Sequence, residues 1–192
     1  MGQLIENNTR METGNYTNVA AVDNLIHYIT RTRDNETKDD LIGYGAVGIN
    51  MYDPELMIAQ MKEIIKCYDD IQNHKKMCHA YYSLTESEVL ALGWNVNAIM
   101  DLAQCLAEHY YRIGHVVAYA VHKSPNSDNG SCVHIHFAVC AVNYMTGNLY
   151  HASKREIIAT NLQFNMRQKE YEERSAIRFI RPPMEGFGMC EH

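Results

Sequence analysis

Residues 115–142 read HVVAYAVHKSPNSDNGSCVHIHFAVCAV. Two apolar runs, 115–122 and 133–142, flank a polar loop containing proline, asparagine and glycine, which is the pattern of an antiparallel strand pair. Along 133–142 side chains alternate across a sheet, so Val133, Ile135, Phe137 and Val139 take one face and His134, His136, Ala138 and Cys140 the other. At a rise of about 3.4 Å per residue the two histidines stand about 7 Å apart on the same side, a span two imidazoles can close onto one ion. Folding the first strand back antiparallel brings His122 level with His134, so three imidazoles are expected on one polar face. A single histidine is ordinarily a core or surface residue. Three in register make a candidate ligand set that leaves coordination positions open, as a catalytic metal needs and a structural zinc site avoids. His27, His74, His79, His109, His115, His151 and His192 show no such spacing and read as ordinary histidines.

Working outward, residues 18–32 place Val19, Val22, Leu25, Ile26 and Ile29 at helical spacing, with Asn18 as a cap and Tyr28 on the flank of the stripe. LIGYGAVGIN (41–50) has too many glycines for a helix and reads as a strand with close backbone contacts. Asp53-Pro54 opens a helix burying Met57, Met61, Ile64, Ile65 and Tyr68. HAYYSL (79–84) reads as a short strand followed by an acidic turn, and 96–112 as a helix with Ile99, Ala103, Leu106 and Tyr110 inward. A last helix spans roughly 154–174. The expected fold is α+β: an antiparallel sheet of about five strands with the His-x-His strand central, and helices on the opposite face covering Ile135, Phe137 and Val139. Residues 1–17 read as a mobile leader, 18–180 as one domain and 181–192, from Arg-Pro-Pro onward, as an irregular tail.

At 192 residues, with 46% hydrophobic and 21% charged residues, the chain suits one globular domain with a substantial core. It has no apolar run long enough to span a membrane and no secretory signal layout, so a cytoplasmic location is expected. Six cysteines without a C-x-x-C pair point to reduced, mostly buried thiols. A net charge of −6 argues against a protein that coats nucleic acid non-specifically. Residues 147–182 nevertheless carry seven basic against four acidic side chains, a local surplus compatible with a DNA groove or with a solvated helix face.

Three blocks, in order, resemble the MobA/VirD-type relaxases, mobilisation nucleases within the His-hydrophobic-His (HUH) endonuclease superfamily. In NLIHYITRTRDNET, Tyr28 stands at the position of the family's nucleophile. In HAYYSLTESE, Ser83 takes the place of a serine that contacts DNA. AVHKSPNSDNGSCVHIHFAVCAVNYMTGNLYH holds His122, His134 and His136 as metal ligands. The resemblance covers about residues 20–180. It implies site- and strand-specific nicking and rejoining of DNA at an origin of transfer, through a 5′-phosphotyrosine. The implied cofactor is a divalent ion: manganese or magnesium suits phosphate chemistry, and zinc or nickel are alternatives in purified protein. The implied partners are single-stranded or hairpin DNA, an accessory DNA-binding protein and a type IV secretion coupling protein. Arg31, Arg33, Lys154, Arg155 and Arg167 are the candidate phosphate contacts. Tyr171, on the last helix, is the rival nucleophile and fits a rolling-circle replication initiator, which places its tyrosine after the histidines. A catalytically silent origin-binding module is a further alternative. The chain departs from many relatives in having Lys123-Ser124 after the first histidine and Cys140 after His-x-His. The carboxylate that would orient a ligand histidine is therefore unassigned, with Asp128 in the loop as one choice.

Overall fold

The structure, a computed structural model, describes residues 2–6, 17–18, 20–33, 39–68, 74–123 and 131–180. The order of elements is β1 (Gln3–Glu6), α1 (Ala20–Thr30), β2 (Leu41–Val47), α2 (Pro54–Lys66), β3 (Met77–Thr85), α3 (Glu86–Ala91), α4 (Val96–Arg112), β4 (Val117–Lys123), β5 (Ser131–Cys140) and α5 (Lys154–Ile180). The strands form one antiparallel sheet in the order β1-β3-β5-β4-β2, which puts the His-x-His strand at its centre.

Local chemistry accounts for the element boundaries. Asp53 caps α2 by accepting the backbone N–H of Glu55, and Pro54 fills the first turn, where a missing N–H costs nothing. Asn95 caps α4 in the same way. The stretch after β3, read as an acidic turn, is instead α3: Thr85 and Glu88 form a reciprocal capping box that satisfies the first backbone donors. Gly45 in β2 is required by packing, because a Cβ there would lie 2.6 Å from the Tyr119 hydroxyl. Residues 3–6 fall inside the segment read as a leader, yet they pair with β3 as an edge strand, and Leu4 is buried. Residues 7–16 and 181–192 lie outside the described residues, as does the loop 124–130.

The two sheet faces carry separate cores. Tyr82, Leu84, Tyr119, Val121, Ile135, Phe137 and Val139 point to one side, under Leu102, Leu106 and Tyr110 of α4 and Phe164 of α5, as the expected opposite-face cover. The histidine side is also covered over part of its length, which the strand pattern did not indicate. There Ala46, Ala118, Ala120, Ala138 and Cys140 meet Val22, Leu25, Ile26 and Ile29 of α1 and Met57 and Met61 of α2. Alanines on the sheet let α1 approach closely, and this close approach delivers its C-terminal end to the histidines.

Candidate active site

His122 and His134 are direct cross-strand partners, and His136 sits two residues further along β5 opposite Ala120. Ring centroids of His122 and His136 are 4.6 Å apart and those of His134 and His136 are 6.1 Å apart. The three imidazoles therefore gather on one face, as the alternation predicts. Burial lowers the pKa of each, that of His136 to about 2 with help from its histidine neighbours, so all three rings are neutral at pH 7.

The ring nitrogens do not meet at one centre. Among the described residues no three His, Cys, Asp or Glu side chains are arranged to hold one ion. Two of the rings are engaged in hydrogen bonds with other groups. His122 Nε2 donates to the Ile29 carbonyl at 2.6 Å, which leaves its Nδ1 to accept from Arg31 at 3.2 Å. His136 Nδ1 lies 3.0 Å from Nε2 of His79. Neutral imidazoles on adjacent strands, one already donating its second nitrogen to a carbonyl, are a donor set that suits a divalent ion. The fit is one of chemistry and of face, and coordination needs the Arg31 contact to open or the rings to turn.

Tyr28 is carried to this face by α1. Its ring stands edge-on to His136, with centroids 6.0 Å apart, and edge-on to His79 at 5.9 Å. The helix stops just after it. Thr32 N–H bonds back to the His27 carbonyl across Arg31, which adopts φ 53, so Arg31 fills the left-handed position that usually belongs to glycine in this helix ending. A non-glycine residue there costs on the order of 1 kcal/mol or more, and such strain is offset by the contacts it makes possible. Arg31 forks onto Asp40 at 3.1 and 2.7 Å, donates to the Tyr28 carbonyl at 2.8 Å, and lies 4.9 Å from the centre of the Tyr28 ring. The hydrogen bond from Arg31 holds the Asp40 carboxyl below its ordinary pKa. Of the candidate phosphate contacts, Arg31 is thus internally engaged, and its carboxylate partner Asp40 was missed in the sequence.

Ser83 is the direct cross-strand neighbour of His134 and shares its face. Tyr81, opposite His136, adds a further ring there, 5.7 Å from His134 and 6.0 Å from His136. Arg33 lies past the end of α1 and bonds Asn24. Lys154, Arg155 and Arg167 belong to α5, whose Phe164 packs on the other side of the sheet, and Arg167 pairs with Glu170 beside a groove lined by α4. Tyr171 also packs against that opposite core, with Arg174 over its ring, so the sheet separates it from the histidines. Asp128 lies outside the described residues. His79 and Tyr81 could have been found from the sequence only by fixing the register of β3, since both share the parity of Ser83.

A family model described as relaxase, MobA/VirD2-like, nuclease domain matches residues 28–172. No curated protein and no solved structure shows significant similarity to the chain. No helix among the described residues is long and apolar enough to cross a membrane. The family match opens on Tyr28 and includes all three clustered histidines, and on that basis the chain belongs to the MobA/VirD2-like relaxases, enzymes that nick DNA at an origin of transfer for mobilisation.

Proposed function

We propose that this relaxase cuts and rejoins one DNA strand by transesterification, with Tyr28 as nucleophile and His122, His134 and His136 as ligands of manganese or magnesium. One observation carries the reading: Tyr28, 38% exposed, stands edge-on to His136 on the histidine face. A phosphodiester is anionic and gains charge toward its transition state, so attack needs positive charge and alignment. An ion on the three imidazoles would supply both to a non-bridging oxygen. Arg31 sets a guanidinium against the ring on which negative charge develops. The Tyr28 oxygen forms a bond to phosphorus while the bond from phosphorus to the 3′-oxygen breaks. That oxygen keeps the electron pair and takes up a proton, giving a 3′-hydroxyl and a 5′-phosphotyrosine, while the phenol proton passes to solvent. One ester replaces another, so the same path backwards reseals the strand.

In this reading the scissile segment is single-stranded or flanks a hairpin, where an unpaired backbone is free to bend toward Tyr28 beside the histidine strands. Ser83 and Arg33 are the phosphate contacts on this side. Lys154, Arg155 and Arg167 would meet only DNA that continues around the molecule. An accessory DNA-binding protein and a secretion coupling protein complete the proposed assembly. The initiator reading, with Tyr171 as nucleophile, is disfavoured because a sheet lies between that ring and the histidines.

The test is incubation with manganese and labelled single-stranded oligonucleotides containing origin sequences, followed by denaturing electrophoresis and peptide mapping. An adduct on Tyr28 that disappears in Tyr28→Phe, with metal binding retained, is the expected result. An adduct of undiminished yield in that variant removes Tyr28 from the role.

A further inference from the structure

His79 is 8% exposed and has the histidine face for its surroundings, yet neither the ligand set nor the nucleophile uses it. Its direct cross-strand partner is Ala138, while Tyr81 faces His136, so His79 and His136 are diagonal neighbours on β3 and β5. The methyl group of Ala138 leaves room for the two rings to meet. Their planes lie within 18° and their centroids 5.3 Å apart, with the facing nitrogens 3.0 Å apart. The centroid separation equals the distance between the facing nitrogens plus the two centre-to-nitrogen radii of about 1.15 Å each, so the imidazoles lie end to end and the hydrogen bond between them is near linear.

We propose that His79 is a positioning residue: its Nε2 accepts the Nδ1 proton of His136, which leaves the lone pair of His136 on Nε2, and the joined rings form the flat seat against which Tyr28 stands. One of two facing ring nitrogens must donate. If His79 donated, His136 would carry its proton on Nε2 and have no lone pair to offer, so the inference rests on His136 being a ligand. A ligand histidine ordinarily donates its second nitrogen to a carboxylate, a carbonyl or water. His122 does this toward the Ile29 carbonyl, and His79 fills the corresponding place for His136. With His136 only 7% exposed, a partner within the protein is needed to fix its tautomer. Tyr28 meets both rings edge-on, at 81° to His79 and 88° to His136, as a ring abutting one continuous plane must.

The test uses the full chain and two variants whose folding is checked by melting temperature. His79→Phe keeps a ring and removes the acceptor. His79→Gln keeps an acceptor oxygen close to the Nε2 position. In the metal-free protein, 15N imidazole NMR at neutral pH should place the His136 proton on Nδ1 in the wild type and in His79→Gln, and displace it in His79→Phe. Manganese affinity by calorimetry should fall about 10- to 100-fold in His79→Phe and recover in His79→Gln. A folded His79→Phe with an unmoved tautomer and unchanged manganese affinity overturns the proposal, as does a wild-type His136 protonated on Nε2. Should His79→Phe not fold, loss of the Nδ1 proton in a folded His79→Gln overturns it equally. The NMR readout needs neither metal nor DNA: absence of a Tyr28 adduct with the tautomer shift intact would count against the nicking chemistry alone.

Discussion

On β5, successive residues meet different surroundings. Val133, Ile135, Phe137 and Val139 enter a core of large side chains under α4 and α5, while His134, His136, Ala138 and Cys140 face α1 and α2. On the first side, bulky residues fill the space between sheet and helices. On the second, Ala118, Ala120 and Ala138 keep the sheet surface low, so α1 packs close at one end and its last turn overhangs the histidines at the other. The lesson is a division of labour within a single strand, in which one face supplies most of the apolar burial and the other positions polar groups at the edge of a smaller core.

Cutting into the first face should affect stability most. Phe137→Ala removes a fully buried ring and is expected to destabilise the fold by about 3–5 kcal/mol, measured by chemical denaturation. Any loss of nicking should follow the folded fraction. Overfilling the second face reverses the balance. Ala120→Leu, under α1, is expected to cost about 1–3 kcal/mol, but to reduce adduct formation in the folded protein far more, because it lifts the helix that bears Tyr28. Equal effects of both variants on nicking at equal folded fraction would dissolve the contrast between the faces.

The smallest expected effect concerns Asp40. Its carboxyl pKa is lowered in the folded chain by the Arg31 fork, so the stabilisation is present above the unfolded carboxyl pKa and is lost as pH falls through the folded one. Wild type should therefore exceed Asp40→Asn in stability at pH 7, with the gap closing below about pH 4, as followed by melting temperature. Arg31→Lys keeps the charge and loses the fork. It should lower the adduct yield and cost about as much stability at pH 7 as Asp40→Asn, since both remove the same fork, and an unaffected yield would reduce the Arg31 contacts to local structure.

Much of this was legible along the chain because it depends on short-range periodicity. The alternation in 133–142 separates His134 and His136 from Ile135 and Phe137 with no tertiary information, and the helical stripe in 20–30 buries Val22, Leu25, Ile26 and Ile29 as read. The capping box was present as Thr85-Glu-Ser-Glu88, although its acidic residues resembled a turn. The pairing of Gln3–Glu6 with β3 was not legible, since a four-residue edge strand has too few positions to show a pattern. The roles of Arg167 and Tyr171 were read from composition and order, which do not state the side of the sheet on which a helix docks.

The sequence alone determined the central hairpin and the shared face of His122, His134 and His136, which depend on residue type and spacing within one connected stretch, and the family, which depends on three such blocks in order. Only the tertiary structure decided that His79 joins His136 and that Asp40 holds Arg31 over Tyr28. It also set Tyr171 behind the sheet. The pairing of His79 with His136 and the placement of Tyr171 join residues far apart in the chain, and the Asp40–Arg31 fork spans nine residues that follow no one periodic pattern; they depend on the register between β3 and β5 and on how closely α1 approaches a floor of alanines.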